Sequence, residues 1–414
     1  MRKSVLKKVA VIGAGVSGLS IARMLADKEM EVVVFEKETS PGGLIRCERV
    51  DGVLYHCVGG HVFNSRERLV LDWFWRIFDK NSFNQCIRNA VVMLEDGSKI
   101  NYPIENHLYQ LPESIRSAVI DDLIQIASNG YPSVENFADF LRHRFGETLY
   151  KLYFCPYNQK IWRRSLTDVP LSWLEGKLPM PTAKEILMAN IMKEREQKMV
   201  HSSFYYPKQN GSQYIADRLA SSLNVIYNTR VERITRENDK WCINDELFDA
   251  VIFCGNIKEL PEMLKLDNLD ISDVKLLQAH GTTSVLCEVP PSDYSWVYMP
   301  SSQYESHRII CTGNFSESNA PSGMSTATLE FTNPLSKEEI LAQLDKLPVS
   351  VRYISHRYTH YTYPVQTNET SKIISAVKDK MKPLNMYLLG RFAEWEYYNM
   401  DAAISAAMKL ASNF

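Results

Sequence analysis

The chain has no continuous apolar run of about 18 residues, the length a helix needs to cross a bilayer, so no integral membrane segment is expected. Its eight cysteines (Cys47, Cys57, Cys86, Cys155, Cys242, Cys254, Cys287 and Cys311) contain no CxxC pair. That removes the common zinc pattern and the dithiol redox motif. Reduced, buried thiols in a cytoplasmic protein are the expectation. No metal site is expected either: the tract Ser355 to Tyr361 holds His356 and His360 but no acid or cysteine at ligand spacing. An excess of one charge is also missing, with 47 Lys plus Arg against 49 Asp plus Glu and a net charge of -2. A general nucleic-acid binder is not indicated. Internal repeats and low-complexity segments are absent. The basic then apolar start resembles a secretory leader, but its apolar run enters a glycine pattern and no small-residue cleavage site follows.

What is present is an ordinary globular composition, 45% hydrophobic and 23% charged over 414 residues. That length suits about two to three domains of roughly 150 residues. Residues Lys8 to Ile12 read as a short buried strand. Gly13, Ala14, Gly15, Val16, Ser17 and Gly18 then form a GxGxxG pattern, and Leu19 to Lys28 have helical spacing. A second apolar strand, Glu31 to Phe35, ends at Glu36. Gly13 permits the tight turn, Gly15 the approach of a pyrophosphate, and Gly18 close helix packing. Ser17 sits at the helix start, where free N–H groups and the positive dipole end meet phosphates. Glu36 lies 18 residues after Gly18, at the place of a ribose-binding acid. Strand, turn, helix, strand and acid in register identify a dinucleotide site.

Glu36 alone suits NAD or FAD. The continuation Lys37, Glu38, Thr39, Ser40, Pro41, Gly42, Gly43 and Leu44 carries a paired glycine and resembles the glutathione-reductase type of FAD protein. In that type, Val231 in Val231–Ile234 is placed against the adenine, and the strand Asp249 to Gly255 returns to the cofactor. Near the C-terminus a strand runs from Met386 into Gly390 and Arg391, and a helix is expected over Met400 to Ala411 with its N-terminus toward the cofactor.

The fold class expected is therefore α/β: a discontinuous Rossmann-like FAD-binding domain, a mostly helical insertion and a strand-rich substrate side. The expected segments are 1–106, 204–280 and 376–414 for the cofactor, 107–203 for the insertion and 281–375 for the sheet-rich region. Helices are expected over Leu111–Asn129, Ser133–Arg144, Thr148–Tyr153 and Thr182–Gln197. Strands are expected around 204–253, 281–288 and 325–332.

Several segments together resemble the UDP-galactopyranose mutases, within the wider flavin amine oxidase-like group. Gly59 to Asn64 is similar to that family's GxHxF segment, Cys155 to Trp162 to its tyrosine/lysine/tryptophan segment, and Tyr206 to Ser212 to its strand–turn element. His307–Ile309 resembles the segment with a diphosphate-binding arginine, and Gly390 to Met400 the GRxxxYxYxDM ending. The resemblance implies FAD, active when reduced, with NAD(P)H a candidate external reductant. It implies flavin N5 chemistry that exchanges pyranose and furanose rings of a UDP-linked nucleotide sugar for cell-surface polysaccharide synthesis. His61, Arg391, Tyr397 and Asn399 would be catalytic. His61, Gly390, Arg391 and Met400 would touch the cofactor. Tyr157, Trp162, Lys177, Arg308, Tyr361, Tyr363 and Tyr397 would bind substrate. Two departures stand out: Asn399 where the family has aspartate, and Lys177 where a second diphosphate arginine is expected. The fingerprint fits equally an FAD-dependent oxidoreductase of the amine oxidase or protoporphyrinogen oxidase type, or an FAD-binding homologue with altered catalysis. The oligomeric state, a homodimer included, stays open.

Overall fold

The computed structural model describes residues 8–171, 180–193, 202–266 and 269–414. Its first unit follows the glycine pattern. Strand β1 (Lys8–Ile12) leads through the turn into helix α1 (Val16–Ala26) and strand β2 (Glu31–Phe35). The helix starts three residues before the expected Leu19, because Gly15 is its N-cap. Gly13 makes the turn at φ +107°, and α1 buries Leu19, Ile21, Ala22 and Leu25 completely.

A five-stranded parallel sheet gathers both chain ends and the centre: Met386–Leu388, Ala250–Phe253, β1, β2 and Asn224–Ile226, in that spatial order. The C-terminal helix Met400–Ala411 covers one face beside α1. Its Met400, Ile404, Ala407 and Ala411 share a core with Leu19, Ala22 and Leu25. A three-stranded antiparallel meander, Thr235–Glu237, Lys240–Ile243 and Glu246–Phe248, follows Val231 on the other face.

The second sheet has seven strands in the order Arg352–Val365, Gln278–Glu288, Thr326–Phe331, Arg308–Ile310, Trp296–Tyr298, Ala90–Met93 and Lys99–Asn101. Ala90–Met93 and Lys99–Asn101 therefore divide residues 1–106 between the two sheets. Helices Glu113–Asn129, Phe137–Phe145, Cys155–Trp162 and Ala183–Met192 pack beside this sheet around Leu108, Leu141, Leu149 and Tyr153.

Several helix limits move from the expected ones, each for a local reason. Leu111 precedes Pro112, which disfavours helical backbone there, and the helix opens at Glu113. Asn136, not Ser133, caps the next helix, its side chain accepting from the Asp139 N–H at 2.9 Å. The short helix expected over Thr148–Tyr153 is the entry to a longer one, passing through a π turn at Tyr150–Phe154 into Cys155–Trp162. Thr182 is the cap in a capping box with Glu185, and Lys193 at φ +49° is the C-cap after Met192; residues 194–197 of the expected span lie outside the described residues. Among the elements that the expectations above leave out are the helices Arg68–Ile77, Lys337–Leu344 and Thr370–Met381 and the 14-residue strand Arg352–Val365. Among the described residues no helix is long and apolar enough to cross a membrane.

Candidate functional site

A cavity of about 640 Å³ runs along the C-terminal ends of the parallel strands. Every residue expected at the cofactor lines it: Gly13, Gly15, Ser17, Gly18, Glu36, Lys37, Gly43, Leu44, His61, Val231, Gly390, Arg391 and Met400. This is where open parallel sheets place ligands, since strand ends and helix N-termini meet there. The sequence requirements are steric. A Cβ on Gly390, at φ +106°, would lie 2.8 Å from the Ser17 hydroxyl. A Cβ on Gly15 would meet nothing within 4 Å, so the space beside α1 is open. The N-termini of α1 and of the C-terminal helix both face it, through Val16, Ser17, Asn399 and Met400.

Glu36 is 7% exposed. Its carboxylate accepts from the Ala14 N–H at 2.7 Å and the Glu38 N–H at 3.0 Å. The acid is thereby fixed at the strand end, where a ribose diol is its chemical match. Val231 and Met263 supply apolar wall nearby. Open room at Gly15, two helix N-termini and an anchored acid suit a dinucleotide, so the residues present fit FAD.

The other end of the cavity is formed by His61, Arg357 to Tyr361, Arg391, Tyr398 and Asn399. Burial, with Arg391 nearby, pulls the His61 imidazole down to about 4, so it is neutral at pH 7. Its Nε2 is buried and has no hydrogen-bond partner. Arg391 donates from Nε to the Tyr398 carbonyl at 3.1 Å and from Nη1 to the Thr362 carbonyl at 3.1 Å. Its guanidinium also sits 4.7 Å from the Tyr397 ring centroid. Asn399 is the N-cap of the C-terminal helix, yet its side chain makes no capping bond.

From Arg391 a continuous contact path leaves the cavity. Tyr397 stacks on Tyr363 at 5.7 Å and 8°. The other neighbour of Tyr363 is His280, at 5.0 Å. The Tyr363 hydroxyl accepts from Arg308 Nη2 at 3.0 Å, and Arg308 Nε pairs with Glu330. Glu330 is 1% exposed, and His307 Nε2 lies 3.4 Å from it. Burial alone would raise the Glu330 carboxyl, but Arg308 and His307 outweigh it and hold it well below the ordinary carboxylate range. Strand register builds this cluster: Tyr298 lies opposite Arg308, Arg308 opposite Glu330, and Glu330 opposite Ser284.

Of the described residues expected at substrate, only Tyr361 lines the cavity; it is exposed and packs edge-on to Phe392. Tyr157, Trp162, Arg308, Tyr363 and Tyr397 lie beyond its wall. Tyr157 is buried with its ring edge-on to Tyr298 at 5.5 Å and 6.3 Å from His307. Trp162 ends its helix, half-buried against the core of the helical segment. Arg308, Tyr363 and Tyr397 are joined to one another and to Arg391. Lys177 lies outside the described residues. Glu330, His280 and Tyr298 belong to the cluster and were missing from the sequence reading. The available signal was Glu330 itself, an acid within Thr326–Phe331, a strand buried at every position.

Comparison with known proteins follows the same lines. A family model described as flavin containing amine oxidoreductase matches residues 16–285. The chain is 22% identical over 427 residues to a UDP-galactopyranose mutase of Mycoplasma genitalium, covering 97% of this chain and 93% of that protein. It is likewise 22% identical over 420 residues to a dTDP-fucopyranose mutase of Escherichia coli, covering 98% of each. The crystal structure of a reduced UDP-galactopyranose mutase superposes with a TM-score of 0.86 at 21% identity, over 99% of this chain and 95% of that one. That likeness shows the mixed α/β fold.

Proposed function

This chain belongs to the flavin-containing amine oxidoreductase family, and on that premise we propose that it binds FAD and exchanges the pyranose and furanose rings of a nucleoside-diphosphate sugar. The observation that carries the reading is the contact path from His61 and Arg391, at the cavity, through Tyr397 and Tyr363 to Arg308. It joins a cofactor-sized cavity to a cation suited to a diphosphate. The two mutase relatives are named for a UDP-linked and a dTDP-linked sugar, so a pyrimidine nucleoside diphosphate is the substrate class proposed. The furanose product would enter cell-surface polysaccharide by glycosyl transfer.

In this reading Glu36 and Val231 hold the adenosine half of FAD, and Gly13 to Gly18 with the two helix N-termini hold its diphosphate. His61, Arg391, Asn399 and Met400 stand beside its ring system. When bound and reduced, the flavin supplies a nucleophilic ring nitrogen and returns in the same oxidation state.

The chain's own residues do the rest. Glu330 and Tyr363 each take one side of the Arg308 guanidinium, leaving Nη1 with no hydrogen-bond partner among the described residues. That edge faces the leaving diphosphate and stabilises its charge. The Tyr363 and Tyr397 hydroxyls donate to the same oxygens. The neutral His61 adds no charge beside the cofactor. The Asn399 amide, released from capping, meets a sugar hydroxyl.

The test is to reduce FAD-loaded protein without oxygen, using dithionite or NAD(P)H, and to titrate it with UDP and dTDP. Saturable binding is expected, followed by ring-isomer formation from a matching nucleotide sugar. Substrate oxidation with stoichiometric hydrogen peroxide, and no ring isomer, would move the protein to the oxidase chemistry of the same family.

A further inference from the structure

We infer that Lys160 is a positioning residue: its ammonium braces the helix that carries Tyr157 and Trp162 against the hairpin that carries Tyr298 and Arg308. This rests on the nucleoside-diphosphate reading above. Lys160 Nζ donates to the carbonyl of Met299 at 2.8 Å and to that of Ser306 at 3.0 Å. Met299 directly follows the strand Trp296–Tyr298, and Ser306 stands two residues before the strand Arg308–Ile310. One side chain therefore holds both ends of the connection between the two strands. The ring of Tyr304, from the same connection, lies 4.7 Å from Nζ.

The backbone of the helix is tied to the sheet at the same point. The Thr332 hydroxyl donates to the Lys160 carbonyl at 2.8 Å, and Arg163 Nη1 donates to the Thr332 carbonyl at 3.1 Å. Thr332 directly follows the strand bearing Glu330. Tyr298 lies opposite Arg308 in register, and Tyr157 packs edge-on to Tyr298. The height of the hairpin under the helix thus sets where Arg308 stands relative to Tyr157.

The residue type is informative. Among the described residues no carboxylate pairs with Lys160, and Glu305 acts on it only from a distance. Burial pulls its ammonium down to about 7. A half-buried amine without a counter-ion is unfavourable in its charged form, and a methionine of similar length fills the place without that penalty. What methionine cannot do is hold two carbonyls at once.

The experiment is a double-mutant cycle on FAD-loaded protein, with UDP affinity measured by calorimetry and FAD content as the check on folding. Lys160→Met is expected to keep its FAD and to weaken UDP binding roughly tenfold in the wild-type background, but less than about threefold in Arg308→Ala. A purely structural role gives the same factor in both backgrounds. Should Lys160→Met fail to load FAD, Lys160→Gln takes its place in the cycle. Unchanged UDP affinity, or equal factors in both backgrounds, overturns the inference alone. A wild type that binds FAD but neither UDP nor dTDP contradicts the proposed function and this inference with it.

Discussion

A Cβ on Gly18 would stand 1.9 Å from the carbonyl oxygen of Gly13, in a turn where α1 rests almost on the strand that precedes it. Gly15, three positions before, has open space where its Cβ would stand. The glycines of one motif therefore separate into a folding requirement and a ligand requirement. Gly18→Ala is expected to destabilise the apoprotein by about 1–3 kcal/mol or more, as overpacking against backbone does. Gly15→Val, at the N-cap of α1, is expected to cost no more than about 1 kcal/mol of apoprotein stability and to abolish FAD uptake. Thermal unfolding of the apoproteins and FAD titration check both. A Gly15→Val protein that loads FAD at wild-type affinity would contradict the pyrophosphate assignment.

Glu330 carries a prediction about stability. Replacing it with glutamine leaves the half-buried Arg308 without its counter-ion, a change with an upper bound of about 3–5 kcal/mol, the cost of breaking a fully buried pair. The folded-state carboxyl is held low, so its contribution is present above the unfolded value of about 4.3 and is lost as pH falls below it. Denaturant unfolding of wild type and Glu330→Gln should thus diverge at pH 7 and converge toward pH 3. A constant difference across that range would count against the ion pair as the source.

Three histidines with desolvated rings set a second pH dependence. Burial pulls His56 down to about 3 and both His61 and His280 to about 4. The unfolded chain takes up these protons near 6.5 while the folded chain does not, so stability must fall as pH drops from about 6.5 toward 4. Each histidine adds at most about 1.4 kcal/mol per pH unit. Apoprotein stability measured at pH 7 and at pH 5.5 should show the loss. A flat profile over that interval would mean that the imidazoles are protonated in the folded state.

How much of this was legible beforehand depends on the range of the interactions. The βαβ unit and the place of Glu36 at its strand end were readable because strand period, glycine spacing and helix start are local. The C-terminal helix was readable over Met400–Ala411 for the same reason. The Arg308 cluster was only half readable: Arg308 stood out, but Glu330 and Tyr298 reach it through strand register. The strand Arg352–Val365 escaped because most of it is half-buried or exposed and shows no clean alternation of burial. Pairing with Gln278–Glu288, interrupted by two register shifts, is what holds it extended. The helix Thr370–Met381 buries Thr370, Ile374, Val377 and Met381, a helical spacing that the sequence does carry and that the expectations passed over.

Asn399 is the residue most open to engineering. It caps the C-terminal helix by position, lines the cavity and leaves its side chain unused in capping. Asn399→Asp puts an ionised acceptor at a helix N-terminus, worth about 0.3–1 kcal/mol of stability. If Asn399 meets a sugar hydroxyl as proposed, the charged acceptor is expected to change turnover of the accepted nucleotide sugar about tenfold relative to wild type. Steady-state assays of the two proteins, matched for FAD content, check this. Identical turnover on every sugar would remove Asn399 from the substrate site.

The most direct measurement of the central claim is turnover by pre-reduced, FAD-loaded protein under anaerobic conditions. A panel of UDP- and dTDP-linked hexopyranoses would be supplied, with products resolved by chromatography and the flavin spectrum recorded throughout. The account predicts a furanose isomer from at least one of them, many turnovers per reduced flavin, and a spectrum still reduced at the end. Flavin reoxidised in step with substrate loss, with no ring isomer from any sugar, would contradict it.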